Sequence, residues 1–109
     1  MRQLFILLGI AVLLSTAPIS AHAQDFTLTI KDHKFTLTEI KVPANKRVEI
    51  TIVNDDATPE EFDSKSLKVE KVIGGKSKGV VRIGPLKPGR YPFVGEFHEA
   101  TAKGLVIAE

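Results

Sequence analysis

The sequence predicts an all-β domain, an antiparallel Greek-key β-sandwich of about six to eight strands, and three observations carry that expectation. Apolar residues recur with a period of two over several short runs, the spacing of a strand with one buried face. Turn residues punctuate those runs throughout, with 8 Gly and 6 Pro in 109 residues. No internal repeat, coiled coil or linker divides the chain, so the strands belong to one unit.

The first 23 residues are set aside as a leader. Arg2 precedes an apolar run over residues 4–14, shorter than the ~20 residues that cross a bilayer, and small residues follow it. Ala21-His22-Ala23 reads as a cleavage signal, which makes residues 1–23 a signal peptide, Gln24 the first mature residue and residues 24–109 the domain. A periplasmic or secreted protein is expected, with no membrane span in the mature chain. The ~86 residues left are enough for one modest core. There is no cysteine, which removes disulfides, a thiolate metal site and a lipid-anchored amino terminus. Formal charge is +2 with acids and bases interspersed, so no footprint for nucleic acid is expected.

In chain order, Phe26, Leu28 and Ile30 alternate with Thr27, Thr29 and Lys31 and predict the first strand. Ile40 and Val42 give a second over Glu39–Val42, and Pro43-Ala44-Asn45-Lys46 turns the chain. Val48, Ile50 and Ile52 then point inward against Arg47, Glu49 and Thr51, the clearest strand in the sequence. Residues 57–75 are less regular; Phe62, Leu67, Val69 and Val72 suit a short strand and a closing loop, and Gly74-Gly75 breaks any helix. Val81 and Ile83 mark a strand over Lys78–Ile83, the Gly84-Pro85-Leu86-Lys87-Pro88-Gly89 turn leads into a strand over residues 90–94, and Leu105, Val106 and Ile107 close the chain.

Two segments concentrate groups able to do chemistry. Residues 54–63 leave a strong strand and carry the carboxylates Asp55, Asp56, Glu60, Glu61 and Asp63. Gly95-Glu96-Phe97-His98-Glu99, in the link between the last two predicted strands, adds two more carboxylates and an imidazole. Loops at one end of a sandwich cluster, so the two segments are expected to meet.

The pattern Gly89-x-Tyr91-x-Phe93-x-Gly95-x-x-His98 resembles the carboxy-terminal signature of cupredoxins, whose ligand Cys falls at Gly95 and whose ligand His falls at His98. The family's weak Met ligand falls at Thr101, and its upstream ligand His at Glu60; another register aligns Glu61 with the acidic ligand of iron-uptake cupredoxin domains. Asp32-His33-Lys34-Phe35 lies in the family's first bend, and the likeness covers essentially the whole mature chain. The resemblance therefore implies the cupredoxin-like sandwich. It does not imply a blue-copper site, whose electron transfer depends on a copper–thiolate bond that Gly95 cannot supply.

The remaining donors are Glu60, Glu61, His98 and Glu96, with His33, Asp63 and Glu99 ranked below them. Carboxylates with one or two imidazoles suit Cu(II), iron or manganese better than Cu(I). The donor style resembles that of the EfeO-type cupredoxin-like domain, and the resemblance implies a copper(II) or iron ion as cofactor. It further implies support of iron transport and, as partner, an inner-membrane iron permease or its accessory proteins; a homodimer completing the coordination is compatible with it. Plainer readings stand beside this one: His98 bonding loop backbone, His33 as a lone surface imidazole, Glu96 and Glu99 solvated, Tyr91 and Phe93 packing. The alternative function is a metal-free β-sandwich interaction module that has lost its site. No enzyme is expected, since no Ser-His-Asp set or His-rich zinc motif is present, although a ferroxidase-like step at the metal is left open.

Overall fold

The alternation read in the sequence becomes the inner face of two packed sheets. The structure is a computed structural model, and it describes residues 24–109, so the expected leader over residues 1–23 lies outside the described residues. Nine strands run in the order β1 (Gln24–Lys31), β2 (Lys34–Phe35), β3 (Glu39–Val42), β4 (Val48–Asn54), β5 (Glu60–Ser64), β6 (Val69–Ile73), β7 (Lys78–Ile83), β8 (Gly89–Val94) and β9 (Lys103–Ala108). One turn of 3-10 helix, Glu96–His98, lies between the last two. In β4 the residues Val48, Ile50, Ile52 and Asn54 are buried while Glu49, Thr51 and Val53 are half-exposed, as period two requires.

One sheet has the order β2-β1-β4-β7 and the other β3-β9-β8-β5-β6. The all-β sandwich expected from the sequence is therefore present, with nine strands where six to eight were expected. Two of its pairings, β1 with β4 and β3 with β9, are parallel. Both arise because the chain leaves the first sheet after β2, runs through β3 in the second, and returns for β4. Alternation reports which face of a strand is buried and carries no information on its neighbour's direction, so these pairings could not be read in advance. The irregular middle resolves into a hairpin, β5 with β6. Ser64 holds its turn by donating to the Pro92 carbonyl at 2.8 Å and accepting from the Leu67 amide at 3.2 Å.

Phe62 and Phe93 stack with centroids 4.8 Å apart, and Phe35 meets Phe93 edge-on at 5.0 Å, so both sheets contribute to one aromatic contact. Such arrangements add about 0.5–1.5 kcal/mol per pair beyond their area. Leu28, Ile30, Ile50, Ile52 and Val106 surround it and are essentially inaccessible. Tyr91 packs at the rim of this core and donates its hydroxyl to the Lys87 carbonyl at 2.7 Å, as its packing role predicts. Among the described residues no helix is long and apolar enough to cross a membrane.

The Phe93 ring lies directly over Gly104, its cross-strand partner in β9. A Cβ at Gly104 would fall 2.2 Å from Phe93 Cζ, well inside contact distance. Gly104→Ala is expected to lower stability by about 1–3 kcal/mol, because the ring cannot yield without leaving the aromatic stack. Urea midpoints of the two proteins check this, and equal midpoints would show that the stack is not what constrains position 104.

Candidate metal centre

Three segments meet at one end of the sandwich: the β1–β2 turn, the loop entering β5 and the loop between β8 and β9. The first is a two-residue hairpin, since Lys31 pairs with Lys34. Asp32 and His33 both have positive φ, at 52° and 59°, the signature of a type I′ turn. Neither residue is glycine, and that conformation is uncommon for side-chain-bearing residues. Asp56 holds it by accepting the Asp32 amide at 2.7 Å and the His33 amide at 3.1 Å on its two carboxylate oxygens. Burial opposes the charge on Asp56, but the amide hydrogen bonds from His33 and Asp32 prevail and hold its pKa below the ordinary carboxylate value.

Asp56 is placed in turn by Asn54, whose Oδ1 accepts the Asp56 amide at 2.9 Å. The Asn54 side chain is 1 % exposed, and its Nδ2 donates to the carbonyls of Thr58, Ile73 and Gly74 at 2.9, 3.1 and 3.1 Å. A buried amide with both ends satisfied fixes a loop firmly. Here it sets where β5 begins.

Glu60 is the first residue of β5 and is 0 % exposed. Its Oε1 accepts from His33 Nδ1 at 2.8 Å and its Oε2 from His98 Nδ1 at 3.0 Å. The two imidazole rings stack, with centroids 3.5 Å apart and planes 20° off parallel, which brings both Nδ1 atoms over the same carboxylate. His98 closes the 3-10 helix, and its carbonyl accepts the Ala102 amide at 2.8 Å. Thr101 ties this loop to the first turn by donating its hydroxyl to the His33 carbonyl. Donor atoms of His33, Glu60 and His98 all lie within 4.8 Å of one another. His98 thus bonds a carboxylate where its plainer reading had loop backbone, and His33 is not a lone surface imidazole.

Successive residues of a strand face opposite ways, so Glu61 turns from the imidazoles toward the outer side of its sheet. There its carboxylate meets Glu70 of β6 and Glu96 of the 3-10 helix, again with oxygens within 4.8 Å. Glu61 is 3 % exposed, and its Oε1 has no hydrogen-bond partner. Burial, and then the neighbouring carboxylates Glu70 and Glu96, push its pKa up to about 7. Asp63 and Glu99 lie in neither group; with Glu96 they line a surface groove of about 420 Å³. Of the donors ranked first in the sequence, Glu60 and His98 therefore come together, joined by the lower-ranked His33. Glu61 and Glu96 lie in a second group, because strand alternation separates Glu61 from Glu60.

Glu70, and the positioning roles of Asn54 and Asp56, were not foreseen from the sequence. Glu70 gave no signal, since its pairing register in the irregular middle was not legible. Asn54-Asp55-Asp56 did offer one, an Asx turn at a strand end.

Two imidazoles and one carboxylate form a donor set that Cu(II) and Fe(II) both accept. A buried carboxylate whose ion-pair partners among the described residues are two imidazoles and one of whose oxygens faces each ring fits such an ion. Type 1 copper does not fit. Besides the absent sulfur, a Cβ at Gly95 would lie 2.8 Å from the Ala102 Cβ and 3.2 Å from the Glu61 carbonyl oxygen, so the packing leaves no room for the thiolate side chain.

The two-sheet sandwich thus gathers, at one end, a group of imidazole and carboxylate donors that could hold a metal ion. The chain belongs to the family described as cupredoxin-like domain, whose profile matches residues 4–108. An uncharacterized protein of Rickettsia prowazekii (strain Madrid E), RP394, is 41 % identical over 80 residues, 73 % of this chain, and the match spans 64 % of that relative's length. Among solved structures, the metal-binding domain of the Cu(I)-exporting P-type ATPase CopA of Streptococcus pneumoniae D39 is similar with a TM-score of 0.69 at 17 % identity, over 78 % of this chain and 84 % of that one. The blue copper protein auracyanin A of Chloroflexus aurantiacus gives 0.68 at 13 % identity, over 81 % and 100 %. Amicyanin of Paracoccus versutus gives 0.60 at 19 %, over 85 % and 87 %. At these identities the likeness is one of fold.

The environment of Glu61 has a consequence for stability in the absence of metal. Its folded-state pKa, about 7, stands above the ordinary value of 4.5, so its contribution is fully present below that lower value and is lost as pH rises through about 7. Glu61→Gln keeps the shape without the charge. Between about pH 4.5 and 8 in chelator, the wild type is expected to lose on the order of 2 kcal/mol relative to this variant. Parallel urea-midpoint profiles against pH would contradict the assigned environment.

Proposed function

We propose that this protein is an exported, periplasmic cupredoxin-like metal carrier that binds Cu(II) or iron through His33, Glu60 and His98 in support of iron transport. The observation that carries the reading is the inaccessible Glu60 carboxylate with an imidazole Nδ1 on each oxygen. A carboxylate is acceptor-only when ionised, so each Nδ1 donates its proton to Glu60. A metal held by the two Nδ1 atoms would take the place of those protons, each neutral ring then carrying its proton on Nε2. His33 and His98 supply neutral nitrogen donors, Glu60 supplies charge, and Asp56 holds the His33 backbone where its ring faces the second imidazole. The metal, when bound, would supply Lewis acidity or a redox couple.

The two-imidazole, one-carboxylate composition is also a nonheme Fe(II) set and so admits iron beside Cu(II). The EfeO-type resemblance and the leader expected over residues 1–23 support export and an inner-membrane iron permease, or its accessory proteins, as the partner. The chain acts as a binding protein in this reading, and no substrate-transforming role is assigned to it.

Calorimetric titration with Cu(II) and Fe(II) tests the proposal. Wild type should bind one equivalent at the imidazole site, and His98→Ala and His33→Ala should each weaken binding by at least ~10–100-fold. At 100 times the dissociation constant the ion should add roughly 2.7 kcal/mol to stability. No thermal shift with either ion would favour the metal-free interaction module, and unchanged affinity in His98→Ala would remove that residue from the site.

A further inference from the structure

The group on the far side of β5 has no part in the imidazole site, yet it is built as if for a ligand. Glu61, Glu70 and Glu96 come from three different elements, and their carboxylate oxygens converge within 4.8 Å. Exposed acidic residues gather without consequence on many surfaces. Glu61 is different: it is 3 % exposed, its carboxylate belongs to the group, and its Oε1 has no hydrogen-bond partner. A buried carboxylate oxygen left unpaired loses its hydration with nothing in return. Among the described residues, none of the three carboxylates forms an ion pair with Lys, Arg or His.

We infer that Glu61, Glu70 and Glu96 form a second cation site, selective for a hard, oxygen-preferring ion such as Mn(II), Ca(II) or iron. The chemistry differs from that of the first site. Three carboxylates without nitrogen or sulfur disfavour Cu(I) and give no imidazole preference for Cu(II), whereas hard ions take such oxygens and complete their shell with water. Glu70 and Glu96 are exposed, which leaves the outer side of the site open to those waters. The neighbouring groove shares Glu96 and adds Asp63 and Glu99 against the single cation Lys65, so the charge along its lining is net negative.

Both sites hang on the same two short pieces of chain. Glu60 and Glu61 are adjacent in β5, and Glu96 and His98 share the single turn of 3-10 helix. One strand thus delivers a carboxylate to each site, and one turn delivers an oxygen donor to one and a nitrogen donor to the other. Occupancy of the carboxylate site would fix the helix that carries His98.

The test uses Mn(II) alone as the probe, titrated into the full chain and followed by loss of the free-ion paramagnetic resonance signal. Wild type should bind one Mn(II), and a protein carrying both His33→Ala and His98→Ala should bind it as well. Glu70→Gln together with Glu96→Gln should weaken it on the order of 100-fold, while Cu(II) binding at the imidazoles persists. Both glutamates are exposed, so the double replacement leaves the core intact. Three results would each overturn the site: no bound Mn(II), binding lost with the imidazoles, or binding indifferent to the two glutamine replacements. Mn(II) failing while Cu(II) binds would remove this site and leave the imidazole site standing.

Discussion

Burial of the Glu60 carboxylate between two imidazoles is the contact around which this end of the molecule is organised. Removing a carboxylate from water costs several kcal/mol, and the cost is offset only where hydrogen bonds meet both oxygens. Here the compensating groups come from 27 residues upstream and 38 residues downstream of Glu60. Three loops are therefore obliged to converge, and each carries a device that sets its position. Asp56 grips the His33 turn, Asn54 places Asp56, and Thr101 links the third loop to the first.

The rest of the sandwich supplies rigidity. The aromatic contact among Phe35, Phe62 and Phe93 lies in the strands that lead into those loops, so packing at the core fixes the directions in which β2, β5 and β8 emerge. Glu60 and Phe62 share a face of β5, while Glu61 takes the other, and the geometry of one strand thereby sorts adjacent glutamates into chemically distinct surroundings. The Gly95 backbone, packed against Ala102, shows the same economy in another form: the position that bears sulfur in blue-copper relatives by resemblance is filled by close backbone approach.

Much of this was legible in the sequence. Period-two alternation gave β1, β3, β4 and β7 with bounds within a residue or two, since each has one buried face and the signal is local. The frame from Gly89 to His98, taken with the acidic residues after Asn54, located the end of the sandwich where donors gather. What escaped was non-local. The hairpin of β5 and β6 was blurred because β6 buries chiefly Ile73 and leaves Glu70, Lys71 and Val72 exposed, so its alternation is weak. Without that register, Glu60 and Glu61 looked interchangeable as ligands and Glu70 was invisible. His33 looked like an ordinary turn residue because its value depends on a contact with a residue far along the chain.

The central claim is that two imidazoles and one buried carboxylate act together on a single metal ion. Paramagnetic resonance of the Cu(II)-loaded protein tests it most directly, since nitrogen ligands split the copper signal according to their number. The arrangement predicts coupling to two imidazole nitrogens in the wild type and to one in His33→Ala. A copper signal without nitrogen coupling, or one unaltered by loss of His33, would contradict it.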